Sequence, residues 1–292
     1  MTLLTPRNTL AASLFLFATS VHTPGQTVAC GELAVNIMIR ASQRSASAAA
    51  TANRAFDRLA SLTDDALTGA DKLFSLADDL SAETAMREFL QLRTGPEAEV
   101  ILAFANRTPQ SAQIGLLRAS KMAAVAGVEP GKSVQLLLSS GRLVDAAKTA
   151  TLRDIGELSD LGLSGTPTLL KRAAEQVDEP NFGDLFEIQA SAAIARNGSY
   201  GSFVDVAVDR AGPPGITGVD TLTSTHAFQI KSKVSAGQVM TLDDVPTSKL
   251  QELLRDRNGR VPVLVHSNPI DEPLLAACIE RGIQTLQVEL VR

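Results

Sequence analysis

The spacing of apolar residues divides the chain into two kinds of text. From about Gly31 to Gln176 hydrophobic positions recur at helical intervals, as in Phe56, Leu59, Ala60 and in Ala70, Leu73, Phe74, Ala77, Leu80. Turn-forming groups break this run at Gly95-Pro96, Thr108-Pro109, Pro130-Gly131, Ser139-Ser140-Gly141 and Gly165-Thr166-Pro167, which predicts a succession of short helices without an alignable repeat. After Glu179-Pro180 the period changes. Asp184 to Asn197 predicts a helix with Phe186, Ala190, Ala193 and Ile194 on one stripe and Gly198 as its stop. Phe203 to Val208 alternates with period two and predicts a strand, Ala211 to Gly218 a loop, and Val219 to Leu222 and Ala227 to Lys233 two further strands around a polar turn. Leu250, Leu253 and Leu254 mark a helix that stops at Asn258-Gly259, followed by a buried strand from Val261 to Val265. Pro273 belongs to the first turn of a helix ending at Gly282, and Ile283 to Val291 predicts the last strand. The fold class is therefore an α-helical region over 30–177 followed by an α/β domain with a mixed central sheet over 178–292.

Residues 1–29 read differently. Arg7 precedes the apolar run Leu10 to Ala18, which has the length of a signal-peptide core and is too short for a stable membrane span. A signal peptide would make the protein secreted or periplasmic, in which case Cys30 and Cys278 could pair. The competing reading is an ordinary buried helix in a cytoplasmic protein, because no clean A-x-A cleavage pattern follows the run.

Composition narrows the chemistry. With 292 residues, 45% of them hydrophobic and 20% charged, the chain is globular rather than disordered or collagenous. Two cysteines and three scattered histidines (His22, His226, His266) exclude a Cys-rich zinc site and an HExxH helix, so any metal would be held mainly by oxygen. No Trp and one Tyr, Tyr200, leave no stacking platform for single-stranded nucleic acid. From Asp178 onward 10 Lys/Arg face 15 Asp/Glu, so this half carries the whole net charge of -5 and would need cations to handle phosphate. Gly127-Val-Glu-Pro-Gly131-Lys132-Ser133 ends like a phosphate-binding loop, but Ala126 stands where the first glycine belongs and a helix precedes it where a strand is required.

The segment that carries chemistry is Gly218-Val-Asp220 to Gln229-Ile-Lys231. A turn centred on Ser224-Thr225 sets Asp220 directly opposite Gln229, with Lys231 on the same face and Val219, Phe228 and Ile230 on the apolar one. A carboxylate, an amide oxygen and an ammonium are thereby gathered on one side of a hairpin, with Glu187 available from the preceding helix. This set suits metal-assisted phosphodiester hydrolysis. Asp220, the Gln229 side-chain oxygen and the Ile230 carbonyl are the ligands expected for Mg²⁺ or Mn²⁺, and Lys231 can stabilise charge on phosphoryl oxygens.

Glu187 in an opening helix, Asp220 after a glycine, and Gln229-Ile230-Lys231 on the next strand resemble the PD-(D/E)XK nuclease superfamily, most closely its Mrr-type restriction-endonuclease branch. The similarity runs from about Phe182 to Val291. The resemblance implies a restriction-endonuclease-like fold and a divalent-metal-dependent endonuclease acting on nucleic acid, with DNA favoured. It assigns Asp220 and Gln229 to the metal, Lys231 as the catalytic lysine and Glu187 as the supporting helix acid. If exported, such a protein would be a bacterial effector or toxin with a cognate inhibitor protein.

Each residue also has a plainer reading. Asp184 and Glu187 have the spacing of a helix cap and its reciprocal partner. Asp220, Gln229 and Lys231 could face solvent on an amphipathic hairpin, Lys233 reads as solvated, and His226 as a surface turn residue. Asp205 and Asp209 alternate with valines like an exposed strand face, though either could supply the metal aspartate instead of Asp220. Two other function classes stay open: a non-catalytic interaction module with a nuclease-like fold, and a protein whose helical half is a partner-binding scaffold.

Overall fold

The computed structural model describes residues 63–76, 96–125, 137–175, 183–211, 217–233, 235 and 237–291. The leader-like 1–29 segment, Cys30, the Phe56-Leu59-Ala60 stripe, Ala77, Leu80, the phosphate-loop look-alike at 127–133 and residues 212–216 of the Ala211 to Gly218 loop lie outside the described residues.

The chain forms two compact units, Met1–Gln113 and Ile114–Arg292. In the first, α1 (Asp64–Leu76) packs on α2 (Pro96–Arg107). Pro96 opens α2, where its missing N–H costs no hydrogen bond. The two backbones come close because residue 69 is glycine: a Cβ there would stand 1.8 Å from the Leu102 carbonyl oxygen. Leu67, Ala70 and Leu73 on α1 and Ile101, Leu102 and Ala105 on α2 are buried, so the helical period read from Ala70 and Leu73 is a packing face. Helix α3 (Gln110–Val125) follows the break at Pro109.

The second unit holds α4 (Asp145–Asp160), α5 (Thr166–Glu175), α6 (Gly183–Asn197), β1 (Phe203–Val206), α7 (Val208–Ala211), β2 (Thr221–Thr223), β3 (His226–Lys231), α8 (Thr247–Asp256), β4 (Val261–His266), α9 (Glu272–Glu280) and β5 (Gln284–Gln287). The sheet is five-stranded and mixed, in the order β1-β2-β3-β4-β5. The first three strands pair antiparallel and the last three parallel. One face is covered by α6, whose Phe186, Ala190 and Ile194 form a core with Phe228, Ile230, Val263 and Val265. The other face carries Ala227 and Leu264 under Leu250 and Leu253 of α8 and Leu274 and Cys278 of α9. Phe228 and Leu264 are fully buried, and side chains of this kind each stabilise the fold by roughly 1.5–3 kcal/mol. The stops read at Gly198, Asn258-Gly259 and Gly282 are all positive-φ residues, with Asn258 at φ 49 and Gly282 at φ 65.

The change of pattern near Asp178 is not a break in packing. Helices α4 and α5 pack against α6. Arg196 on α6 binds Asp154 on α4 at 2.8 Å, and Gly165 lies so close to β1 that a Cβ would stand 1.7 Å from the Val206 carbonyl oxygen. The segment 145–175 therefore belongs to the unit that contains the sheet.

Three local readings are corrected. The strand predicted over Phe203 to Val208 ends at Val206, because buried Ala207 takes a left-handed φ of 51 and turns the chain into α7. Val219 does not share a face with Phe228 and Ile230 but packs under α8 and α9. The cause is a bulge: Thr221 is the ladder partner of Phe228, yet the Asp220 N–H also donates to the Phe228 carbonyl, at 2.8 Å, so two residues oppose one and the alternation shifts. The last strand stops at Gln287, since its partner β4 ends at His266; further on, the Gln189 amide takes both the N–H and the carbonyl of Val291 at 2.9 Å. Among the described residues no helix is long and apolar enough to cross a membrane. Cys278 is a free thiol buried in the core.

Candidate functional site

The site is built around the residue that precedes β2. Gly218 lies directly on α8, where a Cβ would come within 2.4 Å of the Glu252 carbonyl carbon, and the Asp256 carboxylate takes the N–H groups of Thr217 and Gly218 at 2.9 and 3.0 Å. This seat fixes the approach of Asp220. The expected hairpin register is present for Thr221 opposite Phe228 and Leu222 opposite Ala227, but the ladder ends there: Asp220 is not the paired residue of Gln229 and meets it through its side chain instead. Beyond it the Asp220 carboxylate takes over from the backbone: Oδ2 accepts the Ile230 N–H at 2.6 Å and the Gln229 Nε2 at 2.5 Å. The Lys231 ammonium stands 4.0 Å from the same oxygen, with about a third of its side chain exposed.

Helix α6 brings Glu187 to this point. Phe186, Ala190 and Ile194 bind it to the sheet, and the adjacent stripe places Ser191 against the Thr221 hydroxyl at 2.8 Å and Glu187 near Asp220. Asp209 completes the cluster: the bend at Ala207 and the hydrogen bond from the Val208 N–H to the Asp220 carbonyl, 3.0 Å, hold α7 beside Asp220. One carboxylate oxygen each from Glu187, Asp209 and Asp220 lie within 4.8 Å of one another.

All four side chains selected from the sequence, Glu187, Asp220, Gln229 and Lys231, are thus brought together. Ile230 joins through its N–H, and the carbonyl of a strand residue leaves on the same side. Asp209 is a partner of Asp220 in this cluster rather than an exposed strand residue. The signal that pointed to it was its place among the carboxylates of this stretch; the turn that aims it inward was not visible. Asp205 is a structural residue: its carboxylate takes the Gly165 N–H at 2.8 Å and the Ser164 hydroxyl at 2.5 Å. Asp184 is the second residue of α6 rather than its cap and pairs with Arg172 of α5 at 2.5 Å. Lys233 binds Asp244 at 2.7 Å, and so is paired rather than simply solvated. His226 opens β3 at the end away from Lys231, half-buried against Tyr200.

The electrostatics follow from this crowding. Burial lifts the Glu187 carboxyl well above the ordinary carboxylate range, and the charges of Asp220, Asp209 and Asp184 add to it while Arg172 opposes. Asp209 is pushed up to about 7, first by burial and then by Asp220, with Arg172 and Lys231 pulling the other way. In this setting Oε1 of Glu187 and Oε1 of Gln229 are buried and accept no hydrogen bond, in residues that are 6% and 2% exposed. Buried hard oxygens without donors, next to ionisable carboxylates, are what an oxygen-loving divalent cation such as Mg²⁺ or Mn²⁺ takes as ligands. The donor set fits such an ion.

Comparisons with family models, with curated proteins and with solved structures find no match to this chain.

Proposed function

We propose that the protein is a divalent-metal-dependent endonuclease whose site is Glu187, Asp209, Asp220, Gln229 and Lys231, in an α/β unit of restriction-endonuclease type. One observation carries this reading: two buried acceptor oxygens without donors, on Glu187 and Gln229, in the same cluster as the carboxylates of Asp220 and Asp209 and the Lys231 ammonium. A hairpin face or helix cap of purely structural purpose does not account for them, since each buried acceptor left unsatisfied costs about 1–3 kcal/mol.

Glu187, Asp209, Asp220 and Gln229 would hold Mg²⁺ or Mn²⁺, which when bound supplies Lewis-acid polarisation of a phosphoryl oxygen and a more acidic water. The chain's own contributions are separable. The Ile230 N–H and the Gln229 amide fix the Asp220 carboxylate, so its orientation is set before any ligand arrives. Lys231, partly exposed at the end of β3, presents a positive charge where a phosphoryl oxygen gains negative charge. The acidic balance of this half favours cation loading ahead of nucleic acid.

The test is nicking of a supercoiled plasmid with Mg²⁺ or with chelator, for the wild type and for Glu187→Gln and Lys231→Ala. The reading requires cleavage that needs the metal and falls in both variants. Absence of cleavage together with absence of Mn²⁺ binding would leave the interaction-module reading in its place. The effector or toxin role, its inhibitor and export rest on the leader-like segment and are proposed no further than that.

A further inference from the structure

Arg172 lies on α5, in the helical text that the sequence pattern set apart from the sheet, yet its guanidinium pairs with the acidic start of α6, the helix that carries Glu187. One arm, Nη2, binds Asp184 at 2.5 Å at the start of α6, one turn before Glu187. The other arm, Nη1, is buried and has no acceptor, although the side chain as a whole is 15% exposed. An unmet donor therefore stands one helical turn from the unmet acceptor of Glu187.

These two kinds of orphan ask for different partners. The oxygens of Glu187 and Gln229 call for a cation, but a cation does nothing for a buried N–H of an arginine, which calls for an anionic oxygen. A metal ion carrying a phosphate satisfies both at once: its positive side meets the carboxylates and its oxygen side meets the guanidinium. Charge points the same way. Asp184 pairs with Arg172 and Asp220 stands beside Lys231, with Glu187 and Asp209 in the same carboxylate group as Asp220, so a bare anion is repelled and one arriving with a divalent ion is not. Guanidinium is also the group best shaped for this, since one edge can hold a structural carboxylate while a second N–H points elsewhere in a fixed fork.

We infer that Arg172 is a phosphate-binding residue of the site: Nη1 donates to an oxygen of a metal-associated phosphoryl group while Nη2 stays on Asp184. The inference rests on the metal-dependent reading above, and it makes α5 part of the working site rather than of a carrier.

The experiment measures coupling between two ligands on the full chain. Mn²⁺ binding is followed by electron paramagnetic resonance or calorimetry with and without inorganic phosphate, and again with a dinucleoside monophosphate, which has only an internal phosphodiester. In the wild type phosphate tightens Mn²⁺ binding and Mn²⁺ tightens phosphate binding by the same factor, about 5-fold or more for a coupling of the usual size. Arg172→Lys keeps a charge for Asp184 but has no second planar arm, and it brings that factor close to 1 while Mn²⁺ alone still binds. Arg172→Met with Asp184→Asn removes both members of the ion pair and does the same, which guards against a variant that merely fails to fold. Coupling with the dinucleoside assigns the contact to an internal phosphodiester; coupling with inorganic phosphate alone assigns it to a terminal one, and either supports the inference. Undiminished coupling in Arg172→Lys overturns it while leaving the metal site intact. If the wild type binds no Mn²⁺, the functional reading falls and this inference falls with it.

Discussion

Asp220 and Ile230 are joined across the hairpin by a side chain instead of a backbone: Oδ2 of the aspartate accepts the Ile230 N–H at 2.6 Å, at the point where β2 no longer runs beside β3. The same oxygen anchors Gln229. Asp220 is thus both a rung of the sheet and a member of the acidic cluster, and the two roles respond to different substitutions. Asp220→Ala leaves a buried N–H without an acceptor and should lower unfolding stability by about 1–3 kcal/mol. Asp220→Asn keeps an oxygen for both donors but removes the charge, so denaturant melts should stay near wild type while Mn²⁺ binding and plasmid nicking are lost. Equal stability of the two variants would show that the carboxylate is not part of the ladder.

The two lysines of this strand separate function from scaffolding. Lys231 is near the Asp220 carboxylate and partly exposed, whereas Lys233 is held by Asp244 and donates to the Val239 carbonyl at 3.0 Å. Lys231→Ala should lower the turnover of nicking by roughly 10² to 10⁴, the span of a positioned catalytic group, with an unchanged melting curve. Lys233→Ala should cost a few tenths of a kcal/mol up to about 1 in stability and leave turnover within a factor of a few. Matching mild effects on turnover would remove Lys231 from the site.

Stability should depend on pH in a direction opposite to that of ordinary surface carboxylates. Asp209 goes from 3.8 when unfolded to about 7 when folded, and Glu187 is raised as well. Between these limits the native state binds more protons than the unfolded one, so the contribution present below pH 4 is lost as pH rises through about 7. Thermal melts in chelator should therefore fall over that window, Asp209→Asn should flatten the slope, and Mg²⁺ at neutral pH should offset the loss. A melting temperature that rises steadily over the same window in chelator would contradict the crowding.

The packing of α4 and α5 on α6 predicts where the chain can be cut. A fragment of residues 178–292 contains every side chain of the cluster except Arg172, but it leaves Asp184 without that partner and Arg196 without Asp154. Breaking a buried ion pair costs about 3–5 kcal/mol, a large part of the 5–15 kcal/mol that holds a domain together. This fragment should lack a cooperative melt by circular dichroism, whereas residues 114–292 should show one. A cooperative transition in the shorter piece at the wild-type temperature would make α4 and α5 dispensable.

Much of this arrangement is legible in the sequence. Alternation and the Ser224-Thr225 turn gave the register of β2 on β3, and therefore the meeting of Asp220 with Gln229, because a two-stranded hairpin is specified by residues close in sequence. Helix stops were legible wherever a glycine or asparagine could adopt positive φ. What escaped were features set by distant chain. Ala207 gives no local sign of a left-handed bend, so Asp209 read as one more outward strand residue. The bulge at Asp220 depends on the seat of Gly218 against α8, and it is this that sends Val219 to the other face. Arg172 reaches the cluster only through the packing of α5, which no local period reveals.

The contact at Gly165 bears on inheritance. A methyl group at this position would sit 1.7 Å from the Val206 carbonyl oxygen, so α5 can lie on β1 only while residue 165 has no side chain. Any exchange of sequence that joined this sheet to a different helical neighbour near Asp178 would have to reinvent both that bare point of contact and the arginine that follows it. The stretch that has to be inherited together therefore runs from α5 through the sheet, and all of it lies inside the unit Ile114–Arg292.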